Sequence, residues 1–144
     1  MRKNTSLKIA AIGCFIIAIT HVGIAIVGGD WYVFFGAGQE MADMDASGSL
    51  YPFTLTMLIA IVFSIWGSYA ISAAGEIRRL PLQKTALGII SAILLLRGMS
   101  GFILPFVSNH PFILQNSISF WIITSTISTG MGGLFLMGFI GPKK

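Results

Sequence analysis

The sequence predicts an all-α membrane protein, with four transmembrane helices in an up-down-up-down bundle and both termini cytoplasmic. Three observations carry this. Of the 144 residues, 55% are apolar and only 10% charged, with a mean hydropathy of +0.86, whereas a soluble domain carries about 25% charged residues. Four apolar runs of about 20 residues fill most of the chain, each long enough to cross roughly 30 Å of hydrocarbon. The basic residues, finally, gather on alternate connections, as the positive-inside rule requires of a multi-pass protein.

Span one runs from about Ile9 to Val27 and ends at Gly28-Gly29-Asp30. Span two runs from about Pro52 to Gly75, since proline is accepted in a first helical turn. Span three runs from about Thr85 to Leu104, where Pro105 is expected to stop it, and span four from about Ile118 to Ile140. The spans leave room for one domain only, residues 1–144. Arg2, Lys3 and Lys8 precede span one, Arg78, Arg79 and Lys84 join spans two and three, and Lys143 and Lys144 end the chain. Eight of the nine basic residues thus lie on one side, which makes that side cytoplasmic. The loops 28–51 and 106–117 contain no Lys or Arg and face outward. The net charge of +4 is therefore a topology signal, and no nucleic-acid partner is expected.

Small residues recur along the spans. Cys14, Ala18, His21, Ala25 and Gly28 form one stripe, Ala60, Ser64, Ser68 and Ser72 another, and Ser125, Thr129 and Gly133 a third. Such stripes let helix backbones approach closely, either within the bundle or at a homo-oligomer seam. Cys14 is the single cysteine, so no intrachain disulfide can form.

Few polar residues interrupt the spans. Arg97, in "ILLLRGMSG", lies about twelve residues past the inner end of its span, roughly 18 Å up at 1.5 Å per residue. A charge near a span centre costs about 2.5–3.5 kcal/mol on insertion scales. His21 sits at nearly the same depth of span one. The long outer loop begins with Trp31, Tyr32, Phe34 and Phe35, expected as interfacial anchors. Its "GAGQEMADMDASGS" predicts a short interfacial helix from Gln39 to about Ala46, carrying Glu40 and Asp43 on one face and Met41 and Met44 on another. One reading leaves Asp30, Glu40, Asp43 and Asp45 as a solvated face. The sharper reading brings Glu40, or Asp43, down onto Arg97 to offset its desolvation.

No Ser-His-Asp order, HExxH pair or CxxC occurs, and the "GAG" ahead of the loop helix lacks the spacing of a phosphate loop. No catalytic residue, cofactor or metal site is expected.

The blocks "GGDWYVFFGAGQEMA", "GSLYPFTLT", "YAISAAGEIRRLPL" and "LLRG", preceded by His21, resemble a group of small, uncharacterised four-span inner-membrane proteins of Gram-negative bacteria. The resemblance runs from His21 to about Gly98, roughly half the chain, and implies inner-membrane placement without a mechanism.

The residues themselves predict a non-enzymatic membrane protein with an outward-facing polar pocket. His21, Arg97, Glu40, Asp43, Thr56 and Thr124 would line it, with Ser125 at similar depth. It would bind a lipid headgroup or small ligand, or dock a membrane partner. The alternative is a small transporter or channel subunit using His21 and Arg97 in an ion or proton path. Against that, "GIISAILLL" below Arg97 offers Ser91 as its only polar side chain.

Overall fold

The computed structural model describes residues 5–141. Arg2, Lys3, Lys143 and Lys144, on which the sidedness argument partly rests, lie outside the described residues. Seven helices follow in order: α1 (Thr5–Val27), α2 (Asp30–Phe34), α3 (Gln39–Ala46), α4 (Tyr51–Ala74), α5 (Gln83–Val107), α6 (Pro111–Leu114) and α7 (Ile118–Ile140). No strand is present among them. The helices α1, α4, α5 and α7 are long and apolar enough to cross a membrane, as in a multi-pass membrane protein.

The boundaries follow from local chemistry. Pro52 sits in the first turn of α4, where its missing N–H costs nothing. At the far end Gly75 closes the helix, as the Gly75 and Glu76 amides bond the Ser72 and Ile71 carbonyls. Ser117 caps α7, its hydroxyl accepting from the Phe120 amide at 3.1 Å. Pro105 does not end α5 as expected. The helix runs on to Val107, and the Ser108 amide still reaches the Leu104 carbonyl at 2.9 Å. A proline keeps helical φ and removes only one bond, which an element near its end tolerates. Helix α1 is already formed at Thr5, the first described residue, four residues ahead of the expected start at Ile9.

The four long helices pack as two intimate pairs, α1 along α4 and α5 along α7. The pairs meet through α1 and α7, and only sparingly through α4 and α5. Between α5 and α7 the contact is backbone-close. Ser91 donates to the Gly132 carbonyl at 2.9 Å, and Ser128 returns a bond to the Leu94 carbonyl at 2.8 Å. Such interhelical bonds contribute about 0.6 kcal/mol each in membrane proteins. The Thr129 hydroxyl lies where a side chain on Gly98 would be, and the Ser125 hydroxyl does the same at Gly101. Both hydroxyls are buried without a hydrogen-bond partner. Each oxygen instead lies along a glycine Cα–H direction, a weak contact common between close helices.

Across α1 and α4, Gly67 receives the Phe15 ring; between α1 and α7, Gly13 lies under Met131 and Gly138 under Leu7. The main core gathers Leu7, Cys14, Ala74, Leu87, Leu94 and Phe135 with their neighbours at one end of the bundle. A smaller cluster, Ile24, Tyr32 and Ala42, closes the opposite end.

Candidate functional site

The segment between α1 and α4 folds over its end of the bundle as a cap. Helix α3 matches the expected span, whereas the five-residue α2 replaces what reads in sequence as an aromatic belt. Tyr32 departs from its expected role as an interfacial anchor: it is 0% exposed, packed with Ile24 and Ala42 beneath Met41 and Ala37. Trp31, Phe34 and Phe35 are exposed, as anchors would be. Trp31, Tyr32 and Phe34 on α2 are spread through most of a turn, and Tyr32 is the one that points inward.

The cap is fastened at two places. The Asp45 carboxylate accepts from the Gly29 amide at 2.9 Å, and lies so close over Gly28 that a side chain there would meet it. On the other side Gly36 and Gly38, at φ 86° and 96°, take a backbone open to glycine and leave room for Phe120 and Gln115. Asn116 then donates to the Gly36 carbonyl at 3.2 Å. The "FFGAG" block is thus a close joint between the cap and the start of α7.

Neither Glu40 nor Asp43 meets Arg97. Glu40 is exposed, and Asp43 accepts from Gln39 at 2.9 Å on the outer face of α3. Arg97 has no acidic partner among the described residues. Its guanidinium lies over the Trp121 ring, 5.1 Å from the centroid, with Nη2 donating to the Thr124 hydroxyl at a long 3.4 Å. The indole is itself fixed, buried and donating to the Ile113 carbonyl of α6 at 3.0 Å. Gly101, one turn above Arg97, leaves the space the side chain uses: a Cβ there would stand 2.6 Å from Nη1. Arg97 therefore extends along its helix toward the α6 end, exposed on the flank of the α5/α7 pair. Of its five N–H donors, one is engaged by protein.

His21 belongs to the other helix pair. Its Nδ1 donates to the Ile17 carbonyl at 2.8 Å, and its ring stacks on Phe63 of α4 at 6.1 Å. No hydrogen bond, ion pair or ring contact links it to Arg97. Thr56 is buried beneath the cap, where the Tyr32 hydroxyl faces it without completing a hydrogen bond of good geometry. The expected shared pocket is thus divided between the two pairs.

Burial pushes the Tyr32 phenol above its ordinary value, and the nearby Asp45 charge adds to this. An acid whose folded value is raised keeps its proton while the unfolded chain releases it. Stability should therefore fall as pH rises past the unfolded value of about 10. Tyr32→Phe should remove that alkaline loss and be neutral to stabilising by about 1 kcal/mol at pH 7, since the buried hydroxyl has no good partner to lose. Thermal unfolding in detergent at pH 7 and above pH 10 checks both. A wild-type-like alkaline decline in the variant would refute the assignment.

No protein family, curated protein or solved structure matches the chain. Trp121 and Gly101 are contributors that sequence reasoning passed over, and Asp45, read in sequence as part of a solvated face, is the acid that fastens the cap. A glycine four residues after a lone intramembrane arginine was the one available signal, because it marks free space on the arginine's own face.

Proposed function

We propose that this chain is a non-enzymatic protein of a bacterial inner membrane that docks a second membrane protein through Arg97. The proposed arrangement is up-down-up-down, with both termini cytoplasmic and the cap in the periplasm. In its support, the starts of α1 and α5 and the ends of α4 and α7 share one core cluster, and the link between α4 and α5 carries Arg78, Arg79 and Lys84. The resemblance noted above fits the same placement.

The observation that carries the docking reading is the unpaired, exposed guanidinium on its indole shelf, flanked by exposed Ile93, Leu96 and Ile103. Arg97 stands ten residues, about 15 Å, below the end of α5. A cation with free donors at that depth attracts an acid presented at matching depth. A second copy cannot supply one, since Asp30, Glu40, Asp43, Asp45 and Glu76 all lie outside the four long helices. The partner is therefore a different protein with an acidic residue inside a span. Transport along the bundle axis is the weaker reading, because Leu7, Cys14, Leu87, Leu94 and Phe135 pack the inner half with apolar contacts.

A photo-crosslinking residue at Leu96 tests this in cells. A discrete adduct to another membrane protein is expected, retained in Arg97→Lys and lost in Arg97→Gln. Adducts to lipid alone, or an adduct indifferent to Arg97→Gln, would refute it.

A further inference from the structure

The link between α4 and α5 is built, not slack. Ser72, in the last turn of α4, donates to the Arg78 carbonyl at 3.0 Å. It accepts from the Leu80 amide and from Gln83 Nε2, each at 2.9 Å. One hydroxyl thus ties the link to both helices and fixes the course of residues 78–83.

Along this course opens a groove of about 660 Å³, lined by residues 78–85, including Arg78, Arg79 and Lys84. Arg78 and Arg79 are exposed, and their guanidinium groups have no hydrogen-bond or ion-pair partner among the described residues. Lys84 lies over the Phe139 ring at 5.2 Å. The one acid of the link, Glu76, is engaged by Lys8 at 2.6 Å and so leaves these charges uncompensated.

A second groove, of about 480 Å³, adjoins the first through Leu80 and Pro81, which line both. It is lined on α4 by Ile61, Ser64, Ile65, Ser68 and Tyr69. Its serine hydroxyls are spent within the helix: Ser64 donates to the Ala60 carbonyl at 2.8 Å and Ser68 to the Ser64 carbonyl at 2.9 Å. What remains is a trough of small side chains between isoleucines, running about 12 Å along the helix. It lies where α4 and α5 meet only sparingly.

We infer that the two grooves together form a binding site for one anionic phospholipid, an acyl chain lying along Ile61–Ser68 and the phosphate headgroup held by Arg78, Arg79 and Lys84. A basic pocket at a helix end beside an apolar trough matches both parts of such a molecule, and basic residues at this level favour anionic over zwitterionic headgroups. A soluble anion would use only the first groove. In the proposed orientation the lipid belongs to the cytoplasmic leaflet. The site is independent of Arg97, so either assignment can fail alone.

Native mass spectrometry of the full-length protein, given equal phosphatidylglycerol and phosphatidylethanolamine in detergent, tests it. Wild type should retain one phosphatidylglycerol in preference to phosphatidylethanolamine. Arg78→Gln with Arg79→Gln, on exposed side chains that leave the fold intact, should lower that retention about 30-fold, the equivalent of two interfacial charges. Ser64→Leu keeps every charge but fills the trough, and should also lower it. Unchanged retention in the double variant would overturn the site. Unchanged retention in Ser64→Leu would overturn it too, by reducing the attraction to a basic surface without a seat.

Discussion

Gly98→Ala should be among the most damaging single-methyl changes in this chain. A Cβ at Gly98 would run into the Thr129 hydroxyl and stand 2.9 Å from the Thr129 amide nitrogen and 3.0 Å from the Ser125 carbonyl oxygen. Two of these are backbone atoms of α7, and Thr129 is β-branched with little rotamer freedom, so neither neighbour can simply swing aside. The helices must separate instead. Overpacking of this kind costs about 1–3 kcal/mol. Separation also weakens the Ser91–Gly132 and Ser128–Leu94 bonds, which exist only because the backbones are close. Gly133→Ala provides the contrast, because nothing lies within 4 Å of a Cβ built there. That change should be neutral or stabilising by about 0.5–1 kcal/mol, as for other glycines inside helices. Thermal unfolding of the two variants in one detergent separates them. If Gly98→Ala unfolds with Gly133→Ala, the close crossing of α5 and α7 is wrong.

Arg97→Leu should move stability the other way. Replacing the guanidinium removes an insertion cost of about 2.5–3.5 kcal/mol for a span centre. The change gives up a cation–π contact worth about 0.5–2 kcal/mol and one long hydrogen bond. The net expectation is a purified protein more stable by about 1–2 kcal/mol that has lost its Arg97-dependent crosslink. A residue retained at the expense of its own fold is one kept for an interaction outside it. Should Arg97→Leu instead destabilise the isolated protein by more than about 1 kcal/mol, the arginine is a strut between α5 and α7 and the docking reading falls.

The four long helices, and α3 to the residue, were legible because hydropathy runs and glycine or serine boundaries are local properties of a sequence. Pro105 misled because a proline forbids one hydrogen bond, while the position of that bond within an element decides what is lost. The polar residues were legible as exceptions and illegible as partners. Depth along a span placed His21 and Arg97 at one level, but level says nothing about azimuth, and the two sit on different helix pairs. Glu40, nearest the aromatic segment, and then Asp43 are the acids the sequence points inward, yet the acid that turns inward is Asp45. The glycine hinge at Gly36–Gly38 turns α3 so that its last turn, not its first, comes back to the end of α1. Trp121 carries no sign of its role in the sequence, and only the fold shows it as a shelf beneath Arg97.

The pairing of α1 with α4 and of α5 with α7 bears on how the chain is made. Each intimate pair consists of consecutive spans, so the first can complete most of its contacts while the second is still on the ribosome. Assembly then needs only one late event, the docking of two finished helix pairs, chiefly through α1 and α7. What the first pair leaves waiting on distant sequence is one face of α1, around Leu7 and Cys14, which the second pair covers with Met131 and Phe135.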